Sequence, residues 1–128
     1  KAVQAAVELA RATGGELFAI SVKEPFPYSA ISEMQPVPPQ EFYDAQERIA
    51  AGRVKAVVDA AMAAGVACGG HTVEALHPWE SILDHAKAQQ CDLIVMASHG
   101  RRGVAALLLG SETQRVLIHS TLPVLIVK

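Results

Sequence analysis

Short apolar runs alternate with segments of helical periodicity along this 128-residue chain, and no other feature of the sequence constrains the fold as strongly. The clearest run covers residues 92–97, another closes the chain at 123–127, and earlier runs cover 17–22 and 66–74. The run at 66–74 is the weakest because two glycines interrupt it. Runs that are apolar on both faces are typical of buried strands in a parallel sheet. The alternation therefore predicts an α/β fold, a doubly wound parallel sheet sandwiched by helices with right-handed crossovers.

Start and stop signals place helices between these runs. The first helix is expected to end at Gly14, a residue suited to a C-terminal cap, and the second to extend from about Pro39 to Gly65. Pro78 is expected to begin the third helix, because proline is tolerated in a first turn. The fourth helix is expected to cover residues 111–119.

Composition narrows the class of protein and its partners. The net charge is −2 and the chain has only two cysteines, Cys68 and Cys91, which we expect to be buried and unreactive. Nothing indicates nucleic-acid binding, no apolar run is long enough to span a membrane, and a cytoplasmic location is favoured. We expect one domain over residues 1–128, with Trp79 as a packing anchor and a proline-rich loop at 23–39 that folds over the sheet edge. The alternative for that loop is an extended segment that binds a partner.

The segment after the run at 92–97 has the features of an anion-binding loop. Gly100 lies at the carboxyl end of the strand, where open α/β sheets bind ligands, and Gly110 precedes a helix whose N-terminus attracts anions. Hydroxyl and cationic side chains accompany these glycines: Arg101, Arg102, Ser111 and Thr113. The plainer alternative is that the glycines only shape a turn and that Ser111 is only an N-cap. The pattern of a P-loop is absent from the sequence.

This loop and its apolar flanks resemble the nucleotide-binding branch of the universal stress protein family. That branch carries Gly, two residues, Gly, nine residues and then Gly-Ser or Gly-Thr. Here nine residues separate Gly100 from Gly110 and Ser111, while Ala97 occupies the position of the first glycine. The likeness covers essentially the whole chain and is most specific over residues 92–127.

The resemblance implies a Rossmann-like fold of the adenine nucleotide alpha hydrolase type and a site for ATP. A magnesium ion (Mg²⁺) is expected only as a companion of the nucleotide, since phosphates supply most of its ligands. Met96, Ala97 and His99 would line the ribose and the adenine, partly through their backbone, and the main chain of Val22 would contact the adenine. The residues expected to surround the phosphates are Gly100, Arg101, Gly110, Ser111, Glu112 and Thr113.

The resemblance also implies a strand before the first helix, in the middle of a five-stranded sheet and ending in an aspartate that contacts the nucleotide. Lys1 already lies inside the first helical stripe, so we expect this strand to precede residue 1 in the native protein. A homodimer is implied as well, in which two copies of Val124–Val127 pair with each other.

Three functions stay open at this point. The leading hypothesis is a cytoplasmic stress-response protein whose adenine nucleotide alters contacts with a protein partner. The alternative is a dimeric interaction module without a nucleotide, which Ala97 and the lack of the aspartate favour. A transferase or hydrolase is a weaker option, because Ser111 has no local base and His119 lies eight residues away, so at most slow ATP hydrolysis is expected. The histidines show no metal-binding spacing, and no dedicated metal site is expected.

Overall fold

Helices and strands alternate throughout the residues that the computed structural model describes, which are 1–23, 25, 40–98 and 109–128. Their order is α1 (Ala2–Thr13), β1 (Leu17–Lys23), α2 (Gln40–Ala63), β2 (Cys68–Glu74), α3 (Pro78–Ala88), β3 (Ile94–Ala97), α4 (Ser111–His119) and β4 (Val124–Val127). No helix in these ranges is long and apolar enough to cross a membrane. The loop predicted at 23–39 lies, apart from Lys23 and Pro25, outside the described residues.

The helix ends follow the local signals in the sequence. α1 ends at Gly14, which has a left-handed conformation (φ 72°) and donates its N–H to the carbonyl of Ala10. Gly65, with a φ of 74°, follows the end of α2. Residues with a Cβ rarely adopt such angles, so glycine is favoured at both positions. α3 begins at Pro78 and α4 covers Ser111–His119, so these predicted boundaries are confirmed.

The strands pair in parallel, but in two separate ladders. β1 pairs with β2, with Leu17 opposite Cys68, and β3 pairs with β4, with Ile94 opposite Val124. Within the described residues no ladder joins one pair to the other. The parallel α/β architecture is therefore confirmed, although the strands form two short sheets. The fifth, central strand stays a prediction.

Helices cover both faces of the first strand pair. Gly70 and His71 are consecutive in β2, so their side-chain positions point to opposite faces. A methyl group at Gly70 would overlap Cγ1 of Val54 in α2, whereas the His71 ring stacks on His85 of α3 with the ring centroids 4.6 Å apart. α2 and α3 therefore lie on opposite sides of β2, as the doubly wound prediction requires. The close approach of α2 also explains why a glycine interrupts this strand.

Two clusters of small and branched residues form the described core. The first joins α1, α2 and the connection that leads into β2, and consists of Val7, Ala10, Ala61 and Val66. The second joins α3, β3 and α4, and consists of Ala86, Ile94 and Val116. Trp79 packs against the second cluster, which confirms its predicted role as an anchor. Cys68 and Cys91 are half-buried, and burial raises the pKa of both thiols, as expected for unreactive cysteines.

Candidate functional site

The two ends of the predicted loop meet at the carboxyl end of β3. The N–H of Gly110 donates to the carbonyl of Ser98 (2.8 Å), and the N–H of Ser98 donates to the carbonyl of Val127 (2.9 Å). Both Ser98 and Gly110 are buried. Ser98 and Gly110 are therefore neighbours in space, beside the last residues of β3 and β4. The predicted loop residues in between, His99, Gly100, Arg101 and Arg102, lie outside the described part of the chain.

Thr113 fastens the first turn of α4 to the end of β3. Its side chain is buried, and Oγ1 donates to the carbonyl of Ala97 at 3.0 Å. Because a hydroxyl has one proton, this bond uses the only side-chain donor of Thr113. As a phosphate ligand, Thr113 would then act through its backbone N–H. Its assignment to the phosphate site stays a prediction.

The N-terminus of α4 presents backbone donors that have no acceptor within the helix. Gly110 is the N-cap, with φ −60° and ψ 153°, and Ser111 is the first residue inside the helix. The alternative in which Ser111 is the N-cap is therefore wrong. The first main-chain bond of the helix is donated by Gln114 to the carbonyl of Gly110 (3.0 Å). The N–H groups of the first turn, at residues 111–113, thus lack carbonyl partners within the helix and can bind an anion.

Glu112, predicted as a phosphate neighbour, reaches the start of α3. Its Oε2 accepts a hydrogen bond from the backbone N–H of Trp79 at 3.0 Å. His77, the N-cap of α3, makes no capping bond with its side chain, and Pro78 has no N–H to donate. The carboxylate of Glu112 therefore supplies the cap of a neighbouring helix. Sequence reasoning missed this contact because the partners are 33 residues apart.

The residues predicted to line the adenosine are distributed over both strand pairs. Val22 is buried in β1, one residue before the strand ends. Met96 is half-buried against the core cluster of Ile94, while Ala97 is exposed at the last position of β3. Ala97 is thus brought together with Gly110 and Thr113, and Val22 lies on the other pair. The assignment of these residues to a nucleotide stays a prediction.

A charged pair lies at the carboxyl end of β1, directly after Val22. Lys23 Nζ contacts Glu47 Oε2 of α2 at 2.7 Å, and the hydroxyl of Thr72 donates to Glu47 Oε1 at 3.4 Å. The hydrogen bond from Lys23 lowers the pKa of the Glu47 carboxyl below its ordinary value. Sequence reasoning missed this pair as well, since Lys23 and Glu47 are distant in the chain. The cation at this strand end is therefore already paired with a carboxylate.

Two stacked ring pairs that include histidines join different elements. His71 of β2 stacks on His85 of α3, and burial, with a smaller effect of the charge on His71, lowers the pKa of His85. Trp79 of α3 stacks on His119 of α4, with the ring centroids 4.2 Å apart. In the part of the chain that the structure describes, no group of three or more His, Cys, Asp or Glu is arranged to hold a metal ion.

Comparisons with known proteins all identify the same family. The family model described as the Universal stress protein family matches residues 1–128. A universal stress protein of Methanocaldococcus jannaschii is 43% identical over 51 residues, which are 40% of this chain and 32% of that protein. The chain spans about a third of the length of the first curated relatives that it matches.

Solved structures share the fold over nearly the whole chain. UspA from Lactobacillus plantarum superposes with a TM-score of 0.81 at 21% identity, over 99% of this chain and 87% of that chain. A universal stress protein in complex with cAMP superposes with a TM-score of 0.69 at 24% identity, over 99% of this chain and 86% of that chain. The universal stress protein from Archaeoglobus fulgidus in complex with dAMP superposes with a TM-score of 0.65 at 19% identity, over 99% of this chain and 85% of that chain. At these identities the likeness shows a common architecture, which is the Rossmann-like α/β fold predicted from the sequence.

Proposed function

The chain belongs to the universal stress protein family, and from this premise we propose that it binds an adenine nucleotide where β3 leads into α4. The observation that carries the proposal is the junction itself, in which Gly110 bonds to Ser98 and Thr113 bonds to Ala97. These bonds hold the N-terminus of α4, with its first-turn N–H groups, at the carboxyl end of a parallel strand. Two structural relatives were solved with cAMP and with dAMP, which have adenine and a phosphate in common.

ATP accompanied by Mg²⁺ is the finer form of the proposal. The phosphates would lie among Gly100, Arg101 and residues 110–113, and the adenosine would lie beside Val22, Met96, Ala97 and His99. Phosphate oxygens would supply most of the Mg²⁺ ligands, so the protein needs no cluster of carboxylates for it. Nucleotide occupancy would then alter contacts with a protein partner in a cytoplasmic stress response.

The proposed assembly is a homodimer joined through Val124–Val127. In the described residues β4 pairs on one side only, so its other edge presents unpaired backbone groups. The strand itself carries an exposed apolar side chain, since Leu125 is 40% exposed. An apolar strand edge of this kind favours pairing with a second copy.

An interaction module without a nucleotide is the second candidate. The hydroxyl of Thr113 is already used within the protein, and Ala97 has a methyl group where the family pattern has glycine. Both observations remove contacts from a nucleotide, while the exposed Leu125 of β4 favours protein contacts. The same experiment separates the two candidates.

The test measures nucleotide in the purified full-length protein. Mass spectrometry of small molecules released on denaturation should detect an adenine nucleotide, and calorimetry should measure its affinity. Ser111→Asp adds a negative charge to the first turn of α4, where it favours the helix but repels a phosphate, so affinity should fall about tenfold or more. Gln90→Asp adds the same charge to an exposed position between the end of α3 and the amino end of β3, far from the carboxyl end of the strand, and should leave the affinity unchanged. A folded protein that releases no nucleotide and binds neither AMP nor ATP at millimolar concentration would favour the interaction module.

A further inference from the structure

Glu112 joins the amino-terminal ends of two helices. It lies in the first turn of α4, and its carboxylate accepts the bond from Trp79 N–H in the first turn of α3. Among the described residues it is the side chain that caps α3, because the N-cap His77 makes no side-chain capping bond. The negative charge of Glu112 is therefore tied to one place beside the first turn of α4.

Trp79 holds this arrangement at a second point. Its indole ring stacks on His119, in the last turn of α4, at 4.2 Å between ring centroids. Glu112 and His119 are seven residues apart and lie on the same face of the helix. Trp79 thus contacts α4 near both of its ends, and Glu112 is half-buried between the helices. To move away from a bound anion, this carboxylate would have to break its hydrogen bond to Trp79 and leave α3 without its cap.

A fixed carboxylate near a phosphate site makes binding depend on the charge of the ligand. With an effective dielectric constant of about 40–80, two charges about 7 Å apart change an equilibrium constant roughly three- to sevenfold for each unit of ligand charge. The positive end of the α3 dipole offsets part of this repulsion. The remaining penalty grows with each phosphate that the ligand carries, and Mg²⁺ reduces it by neutralising phosphate oxygens.

We propose that Glu112 determines the charge selectivity of the nucleotide site. Through this residue the site favours nucleotides with one phosphate, and Mg²⁺-bound ATP over free ATP. The inference rests on the proposed nucleotide binding, and it assigns to Glu112 a repulsive role where the sequence pattern suggests a phosphate contact. Glu112 is a specificity-determining residue that acts through its charge, while its hydrogen bond to Trp79 fixes where that charge lies.

The experiment measures dissociation constants of cAMP, AMP, ADP and ATP, the last with and without Mg²⁺, for the wild-type protein and three variants. Glu112→Gln keeps an oxygen that accepts the bond from Trp79 and removes the charge. Glu112→Ala removes both, and should unfold a few degrees lower because α3 loses its cap. Glu80→Gln is the matched control, since it removes a negative charge from the exposed first turn of α3.

In Glu112→Gln, the affinity for free ATP should rise about thirtyfold more than the affinity for cAMP, because ATP carries about three more negative charges, and the effect of Mg²⁺ should shrink. Glu112→Ala should show the same change in the ratio of affinities despite its lower stability. An unchanged ratio in both variants, or an equal change in Glu80→Gln, overturns the proposal while nucleotide binding stands. If neither the wild-type protein nor any variant binds a nucleotide, the proposed function fails and the charge selectivity fails with it.

Discussion

Replacing Thr113 with valine tests the bond that fastens α4 to β3. Thr113 is 3% exposed and its hydroxyl donates to the carbonyl of Ala97 at 3.0 Å, so valine removes this bond while nearly keeping the side-chain volume. A hydrogen bond of this kind contributes about 0.5–1.5 kcal/mol net, and a buried acceptor left without a donor raises the loss to about 3 kcal/mol. Ala97 is exposed, so we expect water to reach its carbonyl and the free energy of unfolding to fall by about 1 kcal/mol.

A serine variant provides the matched control. Thr113→Ser keeps the hydroxyl and removes a buried methyl group, which also lowers the free energy of unfolding by about 1 kcal/mol. The two variants therefore have similar stability and differ in the bond to Ala97. Denaturant titration, followed by the fluorescence of the single tryptophan, measures the stability, and calorimetry measures nucleotide affinity. We expect the affinity to fall several-fold in the valine variant and to stay close to the wild-type value in the serine variant.

Two results would refute this reasoning. If Thr113→Val unfolds with the wild-type free energy, the hydroxyl contributes nothing to the junction. If the valine and serine variants bind the nucleotide equally well, the bond to Ala97 does not position the N-terminus of α4, whatever it contributes to stability.

The remaining predictions concern packing, pH and assembly. Gly70→Ala should lower the free energy of unfolding by about 1–3 kcal/mol, because the added methyl overlaps Val54 of α2. Gly69→Ala is the control, since its methyl meets only an ordinary contact and should change the free energy by less than about 0.5 kcal/mol. Equal losses in denaturant titrations would contradict the close approach of α2. Because burial and the charge on His71 lower the pKa of His85 below 6.5, the unfolded chain takes up the proton first, and stability falls as the pH drops below about 6.5. His85→Gln should reduce this loss in titrations repeated at each pH, and an unchanged pH dependence would remove His85 as its source. Leu125→Asp should give a monomer by light scattering, and an intact dimer would exclude the β4 interface.

Signals that act within a few residues account for what the sequence predicted well. Gly14 ends α1 because it adopts a positive φ, and Pro78 begins α3 because a first turn needs no donor there. The apolar runs at 92–97 and 123–127 became β3 and β4, each shortened at its beginning. The spacing of Gly110 from Gly100 likewise led to the family, because a loop pattern is local in the chain.

The sequence by itself therefore determined the elements, their parallel arrangement and the family. Only the tertiary structure decided which side chains form hydrogen bonds within the protein and which stay available to a ligand. Thr113 is hydrogen-bonded to Ala97 and Glu112 to Trp79, and neither partner can be predicted from the spacing of residues in the sequence. The physical reason is that such bonds form where elements distant in sequence pack together, and only the packing of helix against strand sets those distances.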